Sequence, residues 1–61
     1  MTIYIAVYEY DKLLGYLTLD YVEGKDYSQE LTKEYPTWHY AKYTILESNY
    51  SGIVERPIRF V

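Results

Sequence analysis

The chain has 61 residues, ten of them Tyr, with no Cys, one His and a net charge of -3. That length allows one core, so residues 1–61 are expected to form a single domain. Without Cys there is no disulfide framework and no thiolate chemistry, and a single His gives little basis for a metal centre. No apolar run nears the ~20 residues of a bilayer span, and no basic stretch leads into an apolar one. The expectation is a cytoplasmic protein (host cytoplasm, if the source is viral) with no membrane contact and no cofactor.

Residues 2–10, Thr-Ile-Tyr-Ile-Ala-Val-Tyr-Glu-Tyr, are β-branched and aromatic with a period of two. Ile3, Ile5 and Val7 point one way; Tyr4, Ala6, Tyr8 and Tyr10 point the other. Left as an open edge, Ile3 to Tyr8 would aggregate, having neither charge nor Pro. This strand is therefore expected to be central, or covered on both sides. Asp11-Lys12 begins a turn, and Gly15 is the candidate left-handed residue of a bulged hairpin. Tyr16 to Val22 reads as the second, antiparallel strand. It sets Leu17, Leu19 and Tyr21 on one face and Tyr16, Thr18, Asp20 and Val22 on a more mixed one.

Glu23 to Asp26 breaks the pattern. Asp26 can cap a helix, with Gln29 three residues on as in a capping box. Tyr27, Leu31 and Tyr35 recur at i, i+4 and i+8, which predicts a helix over 27–34 that ends before Pro36. So short a helix must dock on the sheet to exist. Trp38 to Glu47 resumes strand alternation, with Trp38, Tyr40, Lys42, Thr44 and Leu46 on one side. Ser48 to Gly52, including Tyr50, reads as a turn. Ile53 to Val61 is the last strand, and Pro57 within it marks an edge or a bulge. The expected fold is β-rich α+β: a four-stranded antiparallel sheet (ββαββ) from hairpins 2–22 and 38–61, with one short helix on one face.

Catalytic patterns are weak. His39 is the only imidazole, and Ser28, Ser48 and Ser51 lie in turns or at the helix start, which does not assemble a triad. Glu30 and Glu34 fit the solvated face of a helix better than an acid/base pair, which needs a substrate cleft. Tyr-x-x-x-Lys occurs at Tyr8/Lys12 and Tyr21/Lys25, as expected by chance with ten Tyr. The reading is a non-enzyme. Tyr4, Tyr8, Tyr10 or Tyr40 could stack single-stranded bases. However, the six Lys and Arg are scattered and the net charge is acidic, so nucleic acid is a poor partner. The middle of the chain is acidic: Asp20, Glu23, Asp26, Glu30 and Glu34 stand against Lys25 and Lys33.

One resemblance covers most of the chain. Ala6-Val7-Tyr8-Glu9-Tyr10 resembles the Ala-Leu-Tyr-Asp-Tyr motif that opens SH3 domains. Leu19 to Tyr27 is similar to that family's Leu-Ser-Phe-x-x-Gly-x-x-Leu stretch, and Trp38, Ala41-Lys42 and Gly52 fall near its Trp, Ala/Gly-Arg and late Gly. The resemblance implies a small all-β barrel that binds Pro-rich peptides, with Tyr8, Tyr10 and Trp38 lining the groove. It also implies strand, not helix, at 27–35. Several departures stand against it. His39 occupies the place of the second Trp, Leu13-Leu14 replaces an acidic loop, and the family's Pro-x-x-Tyr-Val ending is absent.

The Tyr excess divides into packing and contact residues. A short chain with few other apolar residues must bury some Tyr, each covering about 150–250 Å². Tyr16, Tyr21, Tyr27, Tyr35 and Tyr43 are assigned mainly to packing. Tyr4, Tyr8, Tyr10 and Tyr40 remain as the candidate partner-binding set, joined by Trp38 from the SH3 resemblance. The expected function is protein interaction through a Tyr-rich sheet face. The chain would self-associate or bind, even inhibit, one host protein, as a small phage or mobile-element accessory protein does.

Overall fold

The computed structural model describes residues 1–56. The elements run ββαββ: β1 (Thr2–Glu9), β2 (Lys12–Asp20), α1 (Ser28–Glu34), β3 (Tyr40–Ile45) and β4 (Tyr50–Glu55). All neighbouring strands are antiparallel, in the order β2-β1-β3-β4. β1, with its uncharged stretch Ile3 to Tyr8, therefore lies in the interior of the sheet, where its backbone is paired on both sides. Pro57 and the rest of the expected last strand lie outside the described residues.

The helix stands where the SH3 resemblance requires a strand, and the sheet is open rather than closed. The all-β barrel is thus corrected. The reason lies in the spacing of Tyr27, Leu31 and Tyr35, which brings them to one helical face; Leu31 is fully buried and Tyr27 nearly so. Seven residues would not hold a helix in water. Burial of Leu31 against the sheet supplies what the short helix lacks.

The core is the inner face of the sheet and what covers it. Ile3, Ile5 and Val7 of β1 meet Ala41 and Ile45 of β3, beneath Tyr27, Leu31 and Trp38. The polar groups of Tyr27 and Trp38 are bonded. The Tyr27 hydroxyl accepts from the Val22 N–H (2.8 Å) and donates to the Asp20 carbonyl (2.9 Å), tying α1 to the end of β2. The Trp38 indole N–H donates to Thr32 Oγ1 of the helix (2.8 Å). Asp26 Oδ1 accepts the Ser28 N–H (2.9 Å) at the helix start. That bond holds the Asp26 carboxyl below its ordinary pKa.

The bounds of β2, β3 and β4 differ from expectation: β3 is Tyr40–Ile45 rather than 38–47, and β2 ends at Asp20 rather than Val22. β2 begins at Lys12, not Tyr16, because the connection is only Tyr10-Asp11. The left-handed residue is Tyr10 (φ 53°), not Gly15. The bulge exists, but it falls at Leu14: Val7 faces Gly15 and Tyr8 faces Leu13, leaving Leu14 as the extra residue. That slip breaks the alternation in Leu13-Leu14. A left-handed non-Gly residue costs roughly 1 kcal/mol; packing of the Tyr10 ring on His39, 3.9 Å between centroids, offsets it. β4 begins at Tyr50, so Tyr50 is strand rather than turn, and Asn49 (φ 57°) supplies the left-handed residue before it.

Two strand glycines lie under Tyr rings. Gly52 of β4 sits directly opposite Tyr43 of β3. A Cβ added at residue 52 would lie 2.5 Å from the Tyr43 hydroxyl oxygen. On the other edge, the Tyr35 ring occupies the space a side chain at residue 15 would take. Each ring thus fills the gap its glycine leaves. Burial, with Tyr50 nearby, raises the Tyr43 hydroxyl pKa.

Candidate functional site: the outer face of the sheet

Helix α1 and Trp38 cover one face of the sheet. Among the described residues nothing covers the other. The register arranges its side chains in three rows across the strands: Leu13–Tyr8–Tyr40–Glu55, Tyr16–Ala6–Lys42–Ile53, and Thr18–Tyr4–Thr44–Ser51. Large apolar groups there are open to solvent: Tyr16 is 52%, Ile53 63%, Leu13 41% and Tyr4 38% exposed. Exposed apolar side chains are ordinary singly; here they are contiguous and rigidly held.

The rings are organised in pairs. Tyr8 and Tyr40, directly opposite across β1 and β3, stack at 4.9 Å with planes 4° apart. Tyr4 and Tyr16, a diagonal pair across β1 and β2, stack at 5.3 Å and 22°. Between the pairs lies Ala6, the smallest residue on the face. It contributes to a trough of about 450 Å³ bordered by Tyr4, Lys42, Thr44, Ser51 and Ile53. Lys42 is the cation of this face, its Nζ 5.5 Å from the centre of the Tyr8 ring. Among the described residues the carboxylates of this face stand at its margins: Asp20 ends β2 and Glu55 ends β4. The face is therefore aromatic with one central positive charge.

Of the expected partner-binding residues, Tyr4, Tyr8 and Tyr40 are brought together on this face. Tyr10 is not with them, since the tight turn swings it onto His39. Trp38 is a correction. The chain over 36–39 is not yet strand, and Arg56 Nη1 donates to the Pro36 carbonyl (2.6 Å) and to the Trp38 carbonyl (3.2 Å), pinning the segment. Strand parity therefore does not extend to Trp38, which turns into the core with 0% exposure. An SH3-type groove from Tyr8, Tyr10 and Trp38 is not assembled. Tyr16 is a second correction: it faces outward against Tyr4 instead of packing inward. Tyr16, Leu13 and Ile53 join the face. Tyr16 was detectable, because its parity is opposite to that of Leu17 and Leu19. The Leu14 bulge hid Leu13.

A second hollow, about 190 Å³, opens on the inner face between the 21–27 segment and Val54, lined by Ile3, Ile5, Tyr27 and Tyr43. It marks the part of the sheet that the short helix leaves uncovered, and its lining offers no nucleophile or base beyond Tyr, Lys25 and Asp26. Lys25 is engaged, 3.4 Å from Glu30 and 5.2 Å from the centre of the Tyr27 ring. Among the described residues no group of three His, Cys, Asp or Glu could hold a metal ion, and no helix is long and apolar enough to cross a membrane. Comparison with protein-family models, with curated proteins and with solved structures finds no match.

Proposed function

We propose that the chain is a non-enzymatic interaction protein that docks a protein partner on the outer face of its sheet. The observation that carries this reading is the two Tyr stacks on one uncovered sheet face, with Tyr4 of one stack bordering the trough. Stacked rings are already ordered, so binding them costs little side-chain entropy. Tyr offers broad apolar area with a polar tip, the composition favoured at contact centres. A patch of this kind, left to water, is what interaction surfaces look like. The central Lys42 favours a partner that brings a carboxylate to the trough. The source could be a phage or mobile element and the target a host protein; size and composition are the support for that version.

Affinity capture with the whole chain tests the reading. The native chain should recover one stoichiometric protein, and the Tyr4→Ala/Tyr16→Ala variant should lose it while still unfolding in one cooperative transition. Recovery of the same protein by both chains, or of none by the native chain, overturns the proposal.

A further inference from the structure

The two edges of the sheet are built differently. β2 carries the bulge at Leu14 and has charged Lys12 and Asp20 at its ends. Bulges, charges and covering groups all blunt an edge against pairing. β4 has no bulge: its register runs unbroken over Tyr50–Glu55, with Glu55 as its one charge, and among the described residues no strand lies beyond it. The Arg56 N–H donates to the His39 carbonyl at 2.9 Å, which sets the phase of the β3–β4 ladder. Antiparallel pairs alternate between bonded and non-bonded. Tyr50, Gly52 and Val54 therefore bond inward to β3. The N–H and C=O groups of Ser51, Ile53 and Glu55 point away from the sheet, unpaired among the described residues.

We infer that β4 pairs antiparallel with β4 of a second copy of this chain, about a two-fold axis at Ile53. The edge is complementary to itself in that one register. Ile53 faces Ile53 of the second copy, and Ser51 faces Glu55 in both directions, so every outward N–H and C=O gains a partner. A shift of two residues either way sets Ser51 or Glu55 opposite a residue outside β4. The two Glu55 carboxylates sit four residues apart along the pair, about 13 Å at ~3.3 Å per residue. That exceeds the screening length of about 8 Å at physiological salt, and each carboxylate lies beside a serine hydroxyl. Ile53, exposed on the outer face, acquires a β-branched cross-strand neighbour. The contact is isologous and uses up both β4 edges, leaving only the blunted β2 edges, so assembly stops at two chains. The two outer faces then form one continuous surface.

Proline substitution separates this contact from the fold. The Ile53 N–H faces away from β3, so Ile53→Pro removes no hydrogen bond within the chain. Sedimentation from about 1 μM to about 1 mM spans the range in which so small an interface dissociates. The native chain should pass from one-chain to two-chain species. Ile53→Pro should remain one-chain at the top of the range with its unfolding midpoint kept, and Thr18→Pro, on the β2 edge, should still dimerise. Amide exchange at Ile53 of the native chain, read by mass spectrometry, should slow at least about tenfold between the two concentrations. A native chain monomeric throughout, a dimer that survives Ile53→Pro, or loss of the dimer only in Thr18→Pro overturns the inference. If Ile53→Pro unfolds the chain, the exchange measurement decides alone: concentration-independent exchange at Ile53 overturns it. Tyr4→Ala/Tyr16→Ala should leave the dimer intact, so this contact and partner docking stand or fall separately.

Discussion

Tyr27→Phe removes one oxygen from the protein and no carbon, so its effect isolates two hydrogen bonds. The hydroxyl joins the Val22 N–H at 2.8 Å to the Asp20 carbonyl at 2.9 Å, and the side chain is 6% exposed. A neutral hydrogen bond contributes about 1 kcal/mol net, and a partner left unsatisfied costs more as its burial deepens. Both partners are only part-buried, so water recovers some of the loss, and the expected total is about 2 kcal/mol. A domain of this size holds only about 3–5 kcal/mol, so the change is a large fraction of it. With a urea slope of about 1 kcal/mol/M, suited to so small a chain, the midpoint should fall by about 2 M. Trp38, the single Trp and fully buried against Thr32, is a built-in probe: its emission should shift to the red in one transition. The Val22 amide should also exchange faster. A midpoint shift below about 0.5 M, or unchanged Val22 exchange, would refute the claim that this hydroxyl ties the helix to the sheet.

Leu31→Ala should cost about 2–5 kcal/mol, comparable to the whole stability, so its circular dichroism at 25 °C should be that of a largely unfolded chain. By contrast, Tyr16→Ala alone should lower stability by no more than about 1 kcal/mol, since the ring lies on the exposed face and forfeits mainly one stack; loss of the cooperative transition would contradict the assignment of Tyr16 to the surface. On the acid side, the Thr2 N–H donates to Glu47 Oε1 at 2.7 Å and holds that carboxyl below its ordinary pKa, as Ser28 does for Asp26. Carboxyls depressed in the folded state stabilise it above their ordinary values, and that stability is lost as the pH falls through the depressed ones, below about pH 4. Urea midpoints of Glu47→Gln, taken from about pH 6 to about pH 2, should decline less steeply than those of the native chain; parallel curves would exclude a contribution from the Thr2 bond.

The alternation of Ile3, Ile5 and Val7 against Tyr4, Ala6 and Tyr8 was enough to place β1 inside the sheet and to separate core from outer face. The spacing of Tyr27, Leu31 and Tyr35 was enough for the helix. Both are periodic signals spanning an element, and both persist because burial enforces them. What was not legible depends on single residues that break a period. Leu14, as a bulge, shifts the parity of everything before it and conceals four residues of β2. Trp38 precedes β3 rather than beginning it, and only the tertiary bonds from Arg56 and to Thr32 fix its direction. Tyr10 takes the left-handed position although Gly15 is the better residue for it, because the closing pair Glu9–Lys12 leaves two residues for the turn. Tyr4, Tyr8 and Tyr40 were found where the alternation is regular, Leu13 was hidden by the bulge, and Tyr16 was missed although its parity marked it.

The rings over Gly15 and Gly52 have an evolutionary consequence. At these places two positions share one volume: Tyr43 with Gly52 across a strand pair, and Tyr35 with Gly15 from beyond the helix. Neither position is free to drift by itself. Alanine at 52 collides with the ring of Tyr43, whereas a small residue at 43 would leave bare backbone at 52. Related chains should therefore change these sites in pairs, a smaller side chain at 43 accompanying any larger one at 52, and likewise for 35 with 15. The energies of the single substitutions should not add, since either change alone disturbs a volume that both together could refill. Once relatives of this chain are aligned, those two couplings should be visible as covariation, and their presence would mark a sequence as sharing this sheet.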